Sequence, residues 1–303
     1  MHSYLPIAEL SASIPVLVGL GAIVGLLSGL FGVGGGFILT PLLFMIGIPP
    51  AIAVGTQGNV IVGSSFSGLL AHLRRKTVDF PMGIALLIGG LAGSFLGVRL
   101  FRLLTSLGQI DLVIKLAYVG LLGTIGGLMM IESVTALRRR KTGGKVILRR
   151  KNHNWVQGLP FRIRFRTSGL YISVIPPLGV GVLVGVMAAI MGVGGGFVMV
   201  PAMIYLLNMP TKTVIGTSLF QITILAGFTT LMQATTNQTV DFVLGFYLLF
   251  GGVVGAQIGS RLGAKLDAET LRVLLAALVL AVSLKIGTEL VLAPAEPFSI
   301  MSL

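Results

Sequence analysis

Two stretches of identical sequence, GVGGGF at Gly32–Phe37 and again at Gly192–Phe197, are the residues best suited to hold a ligand. Consecutive glycines let the chain leave helical geometry and let another group approach the backbone closely. An arm that begins at Phe37 or Phe197 starts with unpaired N–H groups and the positive end of a helix dipole, a natural place for an anion. Gly34, Gly35, Gly36 and Phe37, with Gly194, Gly195, Gly196 and Phe197, are therefore the first candidate substrate-binding residues. A nucleotide-phosphate loop fits poorly. No Gly-x-x-x-x-Gly-Lys occurs here, and Phe37 stands where Gly-x-Gly-x-x-Gly needs its last glycine.

A polar cluster follows each glycine stretch: Thr56, Gln57 and Asn59 after the first, Thr217, Ser218 and Gln221 after the second. As neutral donors they could bind an oxyanion without holding it too tightly to release. Capping or hydrogen bonding between helices, worth about 1 kcal/mol, is an equal reading. Lys285 and Glu289 lie four apart and share a helix face, either as an ion pair or as a coupling relay for protons. Asp79 and Asp241, each within TVDF, read as helix caps. Arg99 and Arg261 end equivalent apolar segments and are expected to snorkel to the headgroups. With no cysteine, and histidine only at positions 2, 72 and 153, the chain suggests neither a metal site, a cofactor nor a nucleophilic centre.

The elements that position these residues are membrane helices. The chain is 54% hydrophobic and 10% charged, against about a quarter charged in soluble domains, with a mean hydropathy of +0.99. Eleven Lys and Arg fall between Arg138 and Arg166, and no Asp or Glu occurs between Glu132 and Asp241. That concentration marks a topogenic loop and a partner in membrane lipid, not nucleic acid.

The glycine stretches belong to a long internal repeat. Pro41 answers Pro201 and Pro50 answers Pro210; one residue later in register, Ala53–Gln57 falls on Val214–Ser218. With one more, Thr77–Phe80 falls on Thr239–Phe242, and Gly93, Gly97 and Arg99 fall on Gly255, Gly259 and Arg261. Two structural halves follow, 1–131 and 171–303, with repeat cores at 14–131 and 171–292 and a basic linker at 132–170. Each half parses as an apolar arm, the glycines and a shorter arm, then three longer segments: 51–71, 81–101 and 110–131 in the first, 212–234, 241–262 and 271–292 in the second. The short second arm makes the glycine unit a broken or re-entrant hairpin, since a span needs about 20 apolar residues. About eight to ten transmembrane segments result.

Loop charge sets the orientation. The loop with His72, Arg74, Arg75 and Lys76 is basic, whereas its counterpart Ala234–Asp241 has no Lys or Arg. Equivalent loops thus face opposite sides, which predicts an all-α integral membrane protein of two inverted-topology repeats. Both termini lie outside and the 132–170 loop in the cytoplasm. Corresponding helix breaks in inverted repeats point to a transport site near the bilayer midplane. Gly93, Gly97, Gly255 and Gly259 are expected to serve close helix packing.

A chain of this length and hydropathy, with GVGGG and a following proline opening each of two halves, resembles the TauE/SafE family of sulfite and organosulfonate exporters, within the toluene sulfonate uptake permease group. The resemblance covers 14–292. It implies transport of a small sulfur oxyanion such as sulfite, thiosulfate or sulfoacetate across the cell inner membrane. An exporter working by alternating access is the expected form. An anion channel, or an uptake permease coupled to protons or sodium, is the alternative. The sequence sets no oligomeric state. A reporter fused within 72–80 and one fused within 234–240 should report opposite sides of the membrane; same-side signals would overturn the inverted repeat.

Overall fold

The computed structural model describes residues 2–31, 36–141, 160–165, 167–263 and 268–291. Ten α-helices account for most of them. In the first half they are α1 (Ile14–Phe31), α2 (Gly36–Met45), α3 (Pro50–Arg74), α4 (Phe80–Ser106) and α5 (Ile110–Lys141). In the second they are α6 (Ile175–Met191), α7 (Gly196–Tyr205), α8 (Thr211–Met232), α9 (Phe242–Gly263) and α10 (Ala268–Val291). The basic residues from Lys145 to Lys151, with Trp155, lie outside the described residues, as do Gly34 and Gly35.

Prolines mark the helix starts, where a missing N–H costs nothing. Pro50 opens α3, Pro81 stands in the first turn of α4, and Pro176 and Pro177 open α6. Among the described residues four stretches are long and apolar enough to cross a membrane: Phe80–Ser106, Ile110–Ile131, Thr213–Asn237 and Phe242–Gly259. The arms flanking the glycines are shorter, 18 and 17 residues before them and 10 after each. Among the described residues the protein is all-α apart from two small hairpins.

Those hairpins extend the repeat. Strands β1 (His2–Leu5) and β2 (Leu10–Ser13) pair antiparallel, His2 opposite Ser13 and Leu5 opposite Leu10. Strands β3 (Arg162–Phe165) and β4 (Leu170–Ser173) pair Arg162 with Ser173 and Phe165 with Leu170. The register is the same as that of GVGGGF on GVGGGF, so the likeness begins at residue 2 and not at residue 14. Part of the stretch read as basic linker is therefore a strand pair.

The chain forms two compact units, and neither is one sequence half. One comprises residues 1–110 and 147–266, the other 111–146 and 267–303. In the smaller unit α5 meets α10: the Ser283 hydroxyl donates to the Val119 carbonyl at 3.1 Å, and Gly126 faces Val279 and Leu280.

In the larger unit the closest helix pairs each take one helix from either half: α1 with α9, α4 with α6, and α3 with α8. Glycine makes the first two possible. A Cβ on Gly255 would lie 2.8 Å from the Ala22 carbonyl carbon, and one on Gly93 would lie 2.8 Å from that of Val182. Gly25 stands against Gly252, and its counterpart Gly185 against Gly90. Lipid tails are as apolar as leucine, so helices in a membrane associate through such backbone proximity rather than by escape from water. Gly93, Gly97, Gly255 and Gly259 therefore serve packing, as expected. Arg99 lies with its guanidinium carbon 4.3 Å from the centre of the Phe95 ring, at the exposed end of this contact.

Gly255→Val should destabilise the protein by about 1–3 kcal/mol through overpacking, whereas Gly19→Ala, with nothing within 4 Å of the new carbon, should be neutral. Thermal unfolding of the detergent-purified protein checks both; equal midpoints would overturn the close-packed interface.

Candidate functional site

The second glycine stretch is resolved in full. Gly192 ends α6 in the left-handed region at φ 70°, its N–H bonded to the Ala188 carbonyl. Gly194 and Gly195 follow at φ 67° and 78°, and Gly195 stands at the N-cap of α7 without any side-chain cap. Three left-handed residues within four positions explain why the loop is glycine. They turn the chain sharply enough to start a new helix inside the bundle, and the uncapped first turn of α7 is the polar feature that results.

Across from it, Gly36 and Phe37 open α2 and are buried. Phe37 stacks on Phe197, ring centres 4.4 Å apart and planes inclined by 22°. The same residue of each half thus meets its own counterpart. Ile61 on α3 reaches both glycine stretches, since a Cβ on Gly36 or on Gly194 would strike its side chain. Gly36, Phe37, Gly194 and Phe197 are accordingly brought together around α3.

The polar clusters separate into two kinds. Thr56 and Thr217 are fully buried and committed to backbone. Thr56 Oγ1 accepts from the N–H of Asp241 at 2.9 Å, and Thr217 Oγ1 accepts from the N–H of Asp79 at 3.0 Å. These bonds are reciprocal, each threonine serving the aspartate of the opposite half. Ser218 donates within its own helix to the Ile215 carbonyl at 2.9 Å. Asn59 is half-buried against Gly245.

The two glutamines differ. Gln57 donates through Nε2 to the Met191 carbonyl at 3.2 Å, binding the end of α6 beside the glycine loop, while its Oε1 is buried without a partner. Gln221 is fully buried, and neither of its amide atoms has a hydrogen bond. Buried amides of this kind retain the capacity to bind something else, because leaving them unpaired costs about 1–3 kcal/mol each. Lys285 and Glu289 pair at 3.7 Å on an exposed face of α10. Such a pair contributes little on its own.

Sequence reasoning missed what the aspartates do beyond capping. Asp79 Oδ1 accepts from the N–H of Met82 at the start of α4, but its Oδ2 takes the N–H of Ser168 at 2.8 Å and the Ser168 hydroxyl as well. Asp241 Oδ1 accepts from Val243 and Leu244 at 3.0 Å each, and its Oδ2 from the N–H groups of Ile7 and Ala8. Each carboxylate therefore starts a helix of its own half and clasps the hairpin turn of the other. The signal was short: RIRF alternates with period two ahead of a Ser-Gly turn, and its arginines drew the reading to charge.

A helical membrane protein whose short arms meet at Phe37 and Phe197, with unpaired amide atoms buried in its core, has the build of a membrane transporter. The chain belongs to the TauE/SafE sulfite exporter family, whose model matches residues 17–286. It is 32% identical over 243 residues to a probable membrane transporter protein of Xylella fastidiosa strain 9a5c, covering 79% of this chain and 81% of that one. It is 30% identical to the probable membrane transporter protein YjnA of Bacillus subtilis, over 77% and 83% of the two chains. A TauE/SafE family protein 3 of Arabidopsis thaliana is 28% identical over 41% of this chain and 27% of its own. No solved structure matches.

Replacing Thr56 by Val should cost about 1–3 kcal/mol by stranding the buried Asp241 N–H. Thr56→Ser should restore most of it, and the Thr56→Val, Thr217→Val double variant, whose two bonds share no partner, should be close to additive. Denaturation midpoints in detergent measure all three; a neutral Thr56→Val would show that the reciprocal bonds carry no stability.

Proposed function

We propose that this protein is a secondary transporter that exports a small sulfur-containing oxyanion, such as sulfite, thiosulfate or sulfoacetate, across the inner membrane by alternating access. In this reading residues 1–131 and 171–303 are inverted-topology repeats, both termini face outside, and the 132–170 loop is cytoplasmic. The anion binds where the glycine stretches meet. Gly34–Phe37 and Gly194–Phe197 supply backbone N–H groups at two helix starts, Gln221 supplies a neutral amide donor, and Gln57, its Nε2 given to the Met191 carbonyl, holds the end of α6 beside the loop. Thr56, Thr217, Ser218 and Asn59 act at one remove, holding the helices that carry those donors.

The observation that carries the reading is the Phe37–Phe197 stack. It brings the first turn of α2 and the uncapped first turn of α7 together at one buried place, where two positive dipole ends would share one anion. Support also comes from the neutral character of the surrounding donors, which would let the anion leave again. A cytosolic anion exits down an inside-negative potential worth about 2.3 kcal/mol per charge per 100 mV. Export therefore needs no coupling ion, and the exposed Lys285–Glu289 pair is not required as a relay.

Counterflow of labelled sulfite in proteoliposomes, competed by thiosulfate, sulfoacetate, taurine and sulfate, tests the proposal. Saturable uptake accelerated by sulfite on the opposite side is expected, with loss of flux in Gln221→Leu. Non-saturable flux without acceleration would make the protein a channel, and no flux of any of these anions would remove the substrate assignment.

A further inference from the structure

Helices α3 and α8 cross with Ile61 of one packed against Ile222 and Ala226 of the other. Ile61 and Ile222 are repeat equivalents in the register that sets Ala53–Gln57 on Val214–Ser218. The same register makes Gly58 the counterpart of Leu219, and Thr230 the counterpart of Leu69. The crossing therefore has two equivalent ends, yet they are built from opposite chemistry.

At one end Leu69, Leu219 and Val78 form a buried apolar cluster. Leu219 Cδ1 lies 3.1 Å from where Gly68 would carry a Cβ, so the leucine fills the groove that the glycine leaves. At the other end Gly58 has no side chain to fill anything, and the Thr230 hydroxyl stands where a Gly58 Cβ would go. A cavity lies there, lined among others by Gly58, Ala188, Gly192, Gly194, Thr230 and Gln233. It leaves about 10 Å³ for the centre of a water-sized sphere, the room of about one bound water.

The walls of this cavity join two features. Gly192 and Gly194 belong to the left-handed glycine loop, so the cavity reaches the place assigned above to the anion. Gln233 opens the π turn Gln233–Asn237, which lies where the second half has one residue more than the first. Turns of this kind are frequent at functional sites. The polar lining is neutral: Thr229, Thr230 and Gln233, the last with its Nε2 bonded to the Ala189 carbonyl at 2.9 Å. A neutral hydroxyl or amide sets no full opposite charge beside an anion, so it holds the anion less tightly than Lys or Arg would.

We propose that this cavity is the narrowed vestibule by which a small oxyanion reaches the glycine loop, and that Leu69 and Leu219 plug the equivalent route at the other end of the crossing. The proposal rests on the transporter reading. It makes Gly58 and Thr230 access residues and the leucine pair a gate, so the two ends of the crossing differ in packing, one with room for about one water and the other filled by leucine. Exchange of those roles is what alternating access requires.

The chain contains no cysteine, so Thr230→Cys and Leu69→Cys each introduce a single thiol. Two membrane-impermeant methanethiosulfonate reagents of similar size serve as probes, one ending in a sulfonate and one in a trimethylammonium group. Thr230→Cys should react from one face only, about tenfold faster than Leu69→Cys from either face, because thiol modification follows access. The sulfonate reagent should be favoured after correction for its rate with free thiol. Adding Leu219→Ala should raise labelling of Leu69→Cys from the opposite face; should that double variant fail to fold, Gly58→Ala, which should slow labelling of Thr230→Cys, takes its place. Equal rates at positions 230 and 69, no reaction at 230 from either face, or preference for the cation would each overturn the vestibule. Labelling needs no transported substrate. Absent sulfite flux with this labelling pattern would therefore remove the substrate assignment alone, and saturable flux with equal labelling would remove the vestibule alone.

Discussion

The backbone N–H groups of Asp79 and Asp241 find their acceptors on the other half of the chain, at Thr217 and Thr56. Both aspartates are fully buried, and backbone polar groups shut away from water must find their partners within the protein. At these two positions a helix begins after a bend, so its first N–H groups have no intrahelical partner. The chain solves the problem twice in the same way. Each aspartate side chain satisfies its own helix start, while its main chain depends on a threonine 138 or 185 residues away. Neither half can complete its own backbone bonding alone, and the two are thereby held in one register.

That exchange extends to the hairpins and to the helix pairs. Asp79 clasps the turn at Ser168, and Asp241 clasps the turn at Ile7 and Ala8. Around them α1 lies against α9 and α4 against α6, close enough that glycine is the only residue the contacts admit at Gly25, Gly93, Gly185 and Gly255. Glycine therefore has two separate tasks here. In the long helices it removes a Cβ so that backbones can touch, and in the 192–196 loop it supplies left-handed turns that other residues adopt at a cost.

Placing Phe37 on Phe197 is a consequence of the same arrangement. With α3 and α8 crossing at Ile61 and Ile222, the two short arms meet beside Ile61 within the larger unit. Among the described residues, the buried side-chain polar atoms left without a partner are few, and all are neutral. Polar residues that lie next to one another in sequence are sorted by this geometry into different work. Thr56 serves a distant helix start, while Gln57, one residue on, holds the end of α6 and keeps an oxygen free.

The sequence by itself determined that the chain is a helical membrane protein, that it is a repeat, and where its helices break. Those properties are local: apolar length fixes a membrane helix, and GVGGG with a following proline fixes a break wherever it occurs. Helix starts at Asp79 and Asp241 were legible for the same reason, since a cap acts within three residues. Tertiary structure alone decided which half each group would serve. Thr56 and Gln57 carry no mark that one is spent and the other half free, because their partners, Asp241 and Met191, lie 185 and 134 residues away. The alternation in RIRF was too short to announce a strand pair until a carboxylate on the opposite half was there to hold its turn. Spacing can name the donors and acceptors in a membrane core. Only the fold assigns them to one another, because in that medium a polar group is satisfied by whatever the opposite helix brings within 3 Å or so.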